Sequence, residues 1–397
     1  MPANPEGLLC DAIKDIILGY QVRCPLNLPS LPSHRTVAVL RILGAAAPNQ
    51  MGGPMKRLLC SIALLAASSM ATQADVIHAT WGGGGAVTLR EHLQAQFTQR
   101  TNIPTRVVEV PNTAGAVRSP TASQYNVVDL TYFEAVGLAR TNLVEAFEDS
   151  EFPALRNISP ELIVRNRQGK IVGLATHFAY YAIAFNTTLA KASDFGSWND
   201  LGDPRWKGRL AVTRPIYASS YDLTILARAN GGDARNITPG LEPLRRVIGN
   251  ALTTYTSLAH MNTLLARGEV AAVPFYSTRV WHLRKQGQTN IDMVIPREGA
   301  LMLPYVVMVP KGASDRAQTV AYLNELIDAQ AQARLSAHTG AIPTNNQAVL
   351  PKEIEESLGM TRAQLMERMY VPDWNVIVTS HEDRINQIEQ MVAASRR

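Results

Sequence analysis

Short apolar runs alternate with longer amphipathic segments from residue 75 onward. Runs typical of buried strands lie at 75–80, 105–110, 127–130, 180–185, 210–212, 270–273 and 291–295. Segments whose apolar residues recur at helical spacing lie at 88–100, 132–140, 218–229, 261–266 and 277–286. Pro and Gly predict loops at Asp203-Pro204, Pro239-Gly240 and Pro310-Lys311-Gly312. Strands separated by helices predict an α/β fold with mostly parallel sheets, covered by helices on both faces.

A compact apolar run at 58–70 precedes this region and is shorter than the roughly 18 to 20 residues of a membrane-spanning helix. The positively charged Met55-Lys56-Arg57 stands before it, and Ala71-Thr72-Gln73-Ala74 follows with the small-x-small pattern of a cleavage site. This order predicts a signal peptide at 55–74, a mature protein that begins at Asp75, and export to the periplasm without an integral membrane segment. A short buried core helix is the alternative interpretation of the run.

Residues 1–54 stand ahead of the predicted signal peptide, although such a peptide normally opens the polypeptide. They are rich in Pro and irregular in pattern. We interpret them as an N-terminal extension that results from a translation start placed too early. The alternative, a genuine extension, predicts a mature protein whose mass includes these residues.

The composition is that of a globular protein, with 46% hydrophobic and 18% charged residues, and it excludes disorder, collagen and coiled coil. The formal net charge of +5 falls when residues 1–74 are removed, because they hold six Lys or Arg and three acids. No block of Lys and Arg remains to follow a phosphate backbone, so we expect no nucleic-acid partner. Cys10, Cys24 and Cys60 all lie before residue 75. The mature chain is therefore predicted to have no disulfide and no cysteine metal site, and we expect no cofactor.

Aromatic or cationic residues follow four of the predicted strands. They lie in the segments 81–85, Thr131-Tyr132, Thr213-Arg214-Pro215 and 275–279, where helices are about to begin. The ligand crevice of an open parallel sheet lies beyond the carboxyl ends of its strands, and helix N-termini favour anions. These segments predict a pocket with aromatic walls and positive polar anchors. Packing of the aromatic residues in the interior is the alternative.

Short motifs from residue 198 onward carry a family resemblance. They are Trp198-Asn199-Asp200-Leu201, Asp203-Pro204, Lys207-Gly208-Arg209-Leu210, Gly268-Glu269-Val270-Ala271, Ile295-Pro296-Arg297-Glu298-Gly299-Ala300, Val309-Pro310-Lys311-Gly312-Ala313, Tyr322-Leu323-Asn324-Glu325-Leu326-Ile327 and Ile342-Pro343-Thr344-Asn345. In this order and spacing they resemble the periplasmic solute-binding proteins of ABC importers, in the spermidine/putrescine-binding-like group of type II periplasmic binding proteins. The similarity covers nearly all of residues 75–397.

The resemblance implies two α/β lobes joined by a hinge that the chain crosses more than once, which also suits a mature chain too long for one core. Lobe 1 is expected at 75–179 and 305–345, and lobe 2 at 180–304 and 346–397. The hinge is expected near 179–182 and 302–308. Such a protein binds a small solute between its lobes and delivers it to the permease subunits of the importer, and we expect it to be a monomer.

The resemblance also implies part of an aromatic frame around the ligand. Trp81 matches a Trp after the first strand, Tyr132 matches a Tyr after the fourth element, and Tyr276 stands where Trp is usual. Asn375 follows Trp374 near the end of the chain, where an amide is expected. Polyamine binders enclose the methylene chain between such rings and hold the ammonium groups with carboxylates.

The carboxylates of a polyamine binder are missing here. Two of them fall approximately on Pro215 and Ala218, and a third falls near Tyr305. Arg214 and Arg279 lie in the same neighbourhood, and an arginine fork matches a carboxylate or phosphonate bidentately. The sequence thus predicts a ligand with an anionic group, such as an opine or an amino-acid conjugate, while local salt bridges are the alternative for both arginines. The predicted ligand-binding residues are Trp81, Thr131, Tyr132, Arg214, Tyr276, Arg279, Tyr305 and Asn375.

Other functions stay open at this point. A polyamine-binding protein is one alternative, and a periplasmic enzyme on a related two-lobe scaffold is another. The sequence has no Gly-x-Ser-x-Gly elbow, no His-Glu-x-x-His site and no phosphate-binding loop, so we expect no enzyme. A metal receptor would need clustered Tyr, His or acids, but Tyr180 and Tyr181 are consecutive strand residues and cannot both face the cleft.

Overall fold

The computed structural model of the protein describes residues 75–395. The predicted signal peptide at 55–74 and the segment 1–54 lie outside the described residues. No helix within 75–395 has the length and apolar character needed to cross a membrane.

Every strand of the described region belongs to one sheet. The strands are β1 Val76–Thr80, β2 Thr105–Glu109, β3 Val127–Thr131, β4 Ile163–Arg165, β5 Ile171–Asn186, β6 Leu210–Val212, β7 Ala251–Thr254, β8 Ala272–Tyr276, β9 Ile291–Val294, β10 Ala300–Met308, β11 Ile342–Pro343 and β12 Met369–Tyr370. The order along the sheet is β2-β1-β3-β10-β5-β8-β6-β7, with β4, β9 and β11 paired to β5 and β12 paired to β10.

Helices fill most of the connections. The α-helices are α1 Gly84–Leu89, α2 Ala95–Thr101, α3 Thr113–Arg118, α4 Tyr132–Leu138, α5 Pro215–Ala218, α6 Asp222–Ala229, α7 Thr238–Asn250, α8 Leu258–Ala266, α9 Ser277–Lys285, α10 Arg316–Leu326, α11 Ala329–Thr339, α12 Lys352–Leu358, α13 Arg362–Glu367, α14 Trp374–Thr379 and α15 His381–Ser395. A π-helical turn, Arg90–Gln94, joins α1 to α2, and short 3₁₀ helices occur at Ala122–Gln124, Asp149–Glu151, Pro153–Asn157, Pro160–Leu162, Ala192–Phe195, Trp198–Gly202 and Pro204–Trp206.

The sheet consists of parallel groups joined by two long antiparallel strands. β2, β1 and β3 run parallel on one side, and β8, β6 and β7 run parallel on the other. Among the strands named above, antiparallel pairing involves β5 and β10, which are also neighbours of each other. The α/β fold predicted from the alternation of strands and helices is confirmed.

Apolar side chains gather into two large cores. The first core includes Phe97, Leu130 and Phe178, and the second core includes Phe185 and Trp198. β5 contributes to both, because it is 16 residues long and passes from one to the other. The chain therefore crosses between the cores along β5 and returns along β10.

The predicted hinge segments are hydrogen-bonded neighbours, since Ala179 of β5 pairs with Leu303 of β10. The lobe boundaries themselves stay a prediction. Packing favours a later position for the last boundary between the lobes, which is predicted at residue 346. Leu350 and Leu365 lie in the first core, whereas Trp374 lies in the second.

The loop predicted at Pro239-Gly240 is wrong, because both residues lie in the first turn of α7. Proline is accepted there, where its missing N–H would have no helical partner. A Cβ on Gly240 would lie 2.5 Å from the backbone nitrogen of Ala227 in α6. This glycine therefore serves close helix packing rather than a turn.

Candidate functional site

A cavity of about 470 Å³ opens beside the crossing strands, lined by aromatic residues from both sides of them. Trp81 follows β1, Tyr276 ends β8, and Tyr305 lies on β10. The other aromatic rings of the lining belong to Tyr132, Phe133, Tyr217, Tyr221 and Trp374. The carboxyl ends of β1, β3 and β8 supply part of this wall, as the sheet topology requires.

Six of the eight residues proposed from the sequence line this cavity. They are Trp81, Thr131, Tyr132, Tyr276, Arg279 and Tyr305. Whether they contact a ligand stays a prediction, but the structure brings them together.

Arg214 and Asn375 do not line the cavity. Arg214 is exposed before α5, and its guanidinium lies 5.0 Å from the ring centre of Tyr217. Asn375 is exposed in the first turn of α14, where its Oδ1 accepts a hydrogen bond from Arg140 at 3.1 Å. The preceding residue, Trp374, faces the cavity instead, because neighbouring residues of a helix point in different directions.

Thr131 positions the aromatic residue that follows it. Its Oγ1 accepts a hydrogen bond from the backbone N–H of Glu134, and the Glu134 carboxylate accepts one from the backbone N–H of Thr131 at 3.0 Å. This reciprocal capping box starts α4. Tyr132 is thereby fixed at the first helical position, where its hydroxyl donates to the backbone oxygen of Glu161 at 2.5 Å.

The aromatic rings of the lining pack edge to face or stacked. Trp81 meets Tyr305 nearly at right angles with 5.8 Å between ring centres, and Tyr221 meets Tyr276 in the same way at 6.4 Å. Burial raises the pKa of Tyr132 to about 12 and that of Tyr276 well above its usual value. These phenols are therefore neutral hydroxyls at physiological pH and offer apolar faces with polar edges.

A β-bulge turns two consecutive residues toward the cavity. Tyr305 pairs with His177 and Val306 pairs with Ala175, so Thr176 is the extra residue. Thr176 and His177 both line the cavity, although consecutive residues of a regular strand face opposite sides. The His177 ring stacks on Tyr305 at 4.9 Å. Burial lowers the pKa of His177 against the opposing influence of Asp129, which favours the neutral imidazole.

Arg279 and Asp129 give the cavity its fixed charges. Among the described lining residues, Arg279 is the one guanidinium and Asp129 is the one carboxylate. Asp129 was not predicted from the sequence. The signal was present, because Asp129 stands two positions before Thr131 on β3 and therefore shares its face.

A buried histidine of β1 lies beside Asp129. His78 Nε2 lies 3.1 Å from Asp129 Oδ1, and His78 Nδ1 lies 3.0 Å from the Tyr322 hydroxyl. Burial by itself would raise the pKa of Asp129, but His78 and a hydrogen bond from Thr80 outweigh it and hold the pKa below its usual range. Asp129 is therefore ionised at neutral pH.

Within residues 75–395, no group of three or more His, Cys, Asp and Glu is placed to hold a metal ion. Tyr180 belongs to the first core and Tyr181 to the second. The two phenols thus pack in different cores, as expected for consecutive strand residues.

Residues 135–359 match the family described as bacterial extracellular solute-binding protein. This chain is a member of that family. The solute-binding resemblance inferred from the sequence motifs is therefore confirmed, and the family and its neighbours are transport proteins.

Curated relatives of this solute-binding protein have names that point to different solutes. It is 24% identical over 239 residues to the spermidine/putrescine-binding periplasmic protein 1 of Haemophilus influenzae, covering 58% of this chain and 65% of the relative. It is 22% identical over 206 residues to a Salmonella typhimurium protein named "Putative 2-aminoethylphosphonate-binding periplasmic protein", covering 51% of this chain and 59% of the relative. The alignments thus span less than two thirds of the length of these relatives.

Solved structures share the fold of this solute-binding protein. An ABC transporter substrate-binding protein from Bradyrhizobium japonicum superposes with a TM-score of 0.68 at 18% identity, covering 82% of this chain and all of that one. MotA from Agrobacterium tumefaciens, solved with glucopine, superposes with a TM-score of 0.65 at 18% identity, covering 80% of this chain and all of that one. At such identities the likeness establishes the fold alone.

Proposed function

We propose that this solute-binding protein captures a small organic solute with an anionic group and delivers it to the permease subunits of an ABC importer. The observation that carries the proposal is the position of Arg279. It is the one guanidinium in the described lining, and it projects from the first turn of α9 beside aromatic walls. A guanidinium binds carboxylate or phosphonate through two parallel hydrogen bonds, and the rings suit an organic body.

Two relatives support an anionic solute. One is named for 2-aminoethylphosphonate, and one structural neighbour was solved with glucopine. Spermidine and putrescine are less suitable, because the described lining offers a single carboxylate, Asp129, to ligands with several ammonium groups. Arg214 no longer takes part in the proposal, since its side chain lies on Tyr217 outside the lining.

Calorimetric titration of the chain from Asp75 onward tests this function. The panel contains carboxylates, phosphonates, amino acids, opines, spermidine and putrescine. We expect binding of anionic compounds, and Arg279→Ala should weaken it by about 30-fold or more, because the anion loses a charged partner. Arg279→Lys should retain part of the affinity, since it keeps the charge without the fork.

Arg245→Ala is the matched control, because it removes a guanidinium from the exposed face of α7, where Arg245 contacts Glu242. It should bind like the unmodified protein. Binding of polyamines alone, or full affinity of Arg279→Ala for the anion, would contradict the proposed function.

Export is part of the same proposal. We expect the periplasmic protein to begin at Asp75, after cleavage of residues 55–74. Intact-mass measurement of the protein from a periplasmic extract checks this directly. A mass that includes residues 1–54 would show that the extension is genuine, and absence of the protein from the extract would contradict export.

A further inference from the structure

The carboxylate of Asp129 has acceptor positions to spare on the cavity side. His78 and Thr80 are its neighbours from the protein, whereas a carboxylate offers about four acceptor positions. The Asp129 side chain is 11% exposed, while that of His78 is fully buried. The pair is therefore closed toward the first core and open toward the cavity.

The other cavity residues near Asp129 do not neutralise it. Thr80, Thr176 and His177 also line the cavity, and burial favours the neutral form of His177. The ring nitrogen of His78 that faces away from Asp129, Nδ1, lies 3.0 Å from the Tyr322 hydroxyl. A negative pole that faces an aromatic cavity is a suitable site for an organic ammonium group.

The strand register separates Asp129 from Arg279. Asp129 pairs with Val307 of β10, whereas Arg279 follows Tyr276, which is aligned through Tyr181 of β5 with Leu301 of β10. The rings of His177 and Tyr305 stack with 4.9 Å between their centres. Tyr305 lies between Leu301 and Val307 on β10, so Asp129 and Arg279 reach the one cavity at positions separated along this strand, with Trp81 packed nearly at right angles to Tyr305.

We infer that Asp129 binds an ammonium group of the solute, so that the ligand is a zwitterion whose anionic end lies on Arg279 and whose carbon chain lies along Tyr305. This inference rests on the proposed function, because it takes the anionic end as given. The separation of the two positions along β10 requires several atoms between the two charged ends. An α-amino acid, whose charges lie on neighbouring atoms, is too short to reach both poles.

Matched compounds test the inference without any mutation. The probes are ω-amino acids of three to six carbons, the fatty acids of the same length without the amine, and the alkylamines without the carboxylate. Calorimetry should show at least one ω-amino acid that binds about tenfold or more tightly than its fatty acid. Equal affinity with and without the amine would overturn the inference.

Asp129→Asn should remove this preference. We expect the ratio of affinities between the ω-amino acid and the fatty acid to fall close to one, while the affinity for the fatty acid stays the same or rises. Asp149→Asn is the control, because Asp149 is an acid on the exposed Arg165 ion pair, and it should leave the ratio unchanged. A folded Asp129→Asn protein that keeps the wild-type ratio would overturn the inference.

Asp129→Glu provides a second variant, because it retains the charge beside His78. The carboxylate then extends one methylene farther into the cavity, so the preferred ω-amino acid should become about one carbon shorter. An unchanged length preference in this variant would also count against Asp129 as the ammonium site.

The two proposals fail in different ways. If neither ω-amino acids nor fatty acids nor any other anion of the panel binds, the proposed function fails and the inference fails with it. If anions bind through Arg279 but the amine makes no difference, the inference alone fails.

Discussion

Asp222 is a carboxyl group buried beneath the aromatic residues of the cleft. Tyr181 donates a hydrogen bond to its Oδ2 at 3.2 Å, and the Tyr181 ring lies 5.4 Å from the ring of Tyr276. Burial raises the pKa of Asp222 to about 7, although the hydrogen bond from Tyr181 opposes the rise. The folded protein therefore retains this proton at pH values where the unfolded chain has lost it.

The raised pKa has a defined consequence for stability. The contribution of the protonated carboxyl is fully present below the unfolded pKa, near 3.8, and is lost as pH rises toward 7. Asp222→Asn cannot ionise, so its unfolding free energy relative to the wild type should increase between pH 5 and pH 8, by an amount on the order of a few kcal/mol. Thermal unfolding over this pH range measures the difference.

Glu389→Gln, which changes an exposed acid of α15, should show no such trend. A difference between Asp222→Asn and wild type that stays constant from pH 5 to pH 8 would contradict the assignment of the raised pKa to Asp222.

At the scale of elements, the capping box of α4 stabilises a helix that begins at the wall of the cavity. Thr131→Ala removes the side-chain oxygen that accepts from Glu134, so we expect a loss of about 1 kcal/mol in unfolding free energy. Thr131→Ser retains the oxygen and should retain most of the stability. Denaturant titration compares the two variants, and equal losses in both would show that the cap does not contribute.

The contact between α6 and α7 gives a second prediction at this scale. A methyl group at Gly240 would lie 2.5 Å from the Ala227 backbone nitrogen, so Gly240→Ala should cost roughly 1 to 3 kcal/mol through overpacking. Gly249 belongs to the same helix, but a Cβ there would meet nothing within 4 Å. Gly249→Ala should therefore stabilise the protein by roughly 0.5 to 1 kcal/mol. Chemical denaturation of both variants decides, and a tolerated alanine at position 240 would contradict the packing argument.

The sequence predicts correctly those strands and helices whose local pattern of apolar and polar residues is strong. β1, β3 and β6 were identified because apolar runs of strand length end at marked polar or aromatic positions. α7 was missed, since Pro239-Gly240 is a turn signal in most sequences and only the approach of α6 explains the glycine. The cavity residues follow the same rule. Trp81 and Tyr276 were predicted because each lies at the end of a strand. Asn375 was predicted in place of Trp374, because the sequence does not show which side of α14 faces the cavity.

For the whole molecule, the crossing strands determine which motion is available. β5 and β10 connect the two large cores and hydrogen-bond to each other between them. We expect a bound solute to draw the predicted lobes together, so the radius of gyration from small-angle X-ray scattering should fall when a binding compound saturates the protein. Arg279→Ala at the same concentration should show a smaller fall, because its lower affinity leaves fewer molecules occupied. Saturation without any fall in the radius would contradict closure.

Because of the bulge at Thr176, the side chains that face the cavity depend on the exact number of residues in β5. Because side chains alternate along β5, losing this one residue would restore a regular ladder and exchange the faces of 171–175 relative to 177–186. Residues now in the first core would then point outward, or His177 would leave the cavity. A substitution at Thr176 would leave the alternation of faces along β5 intact, whereas its deletion should be tolerated only together with a compensating insertion in the same strand.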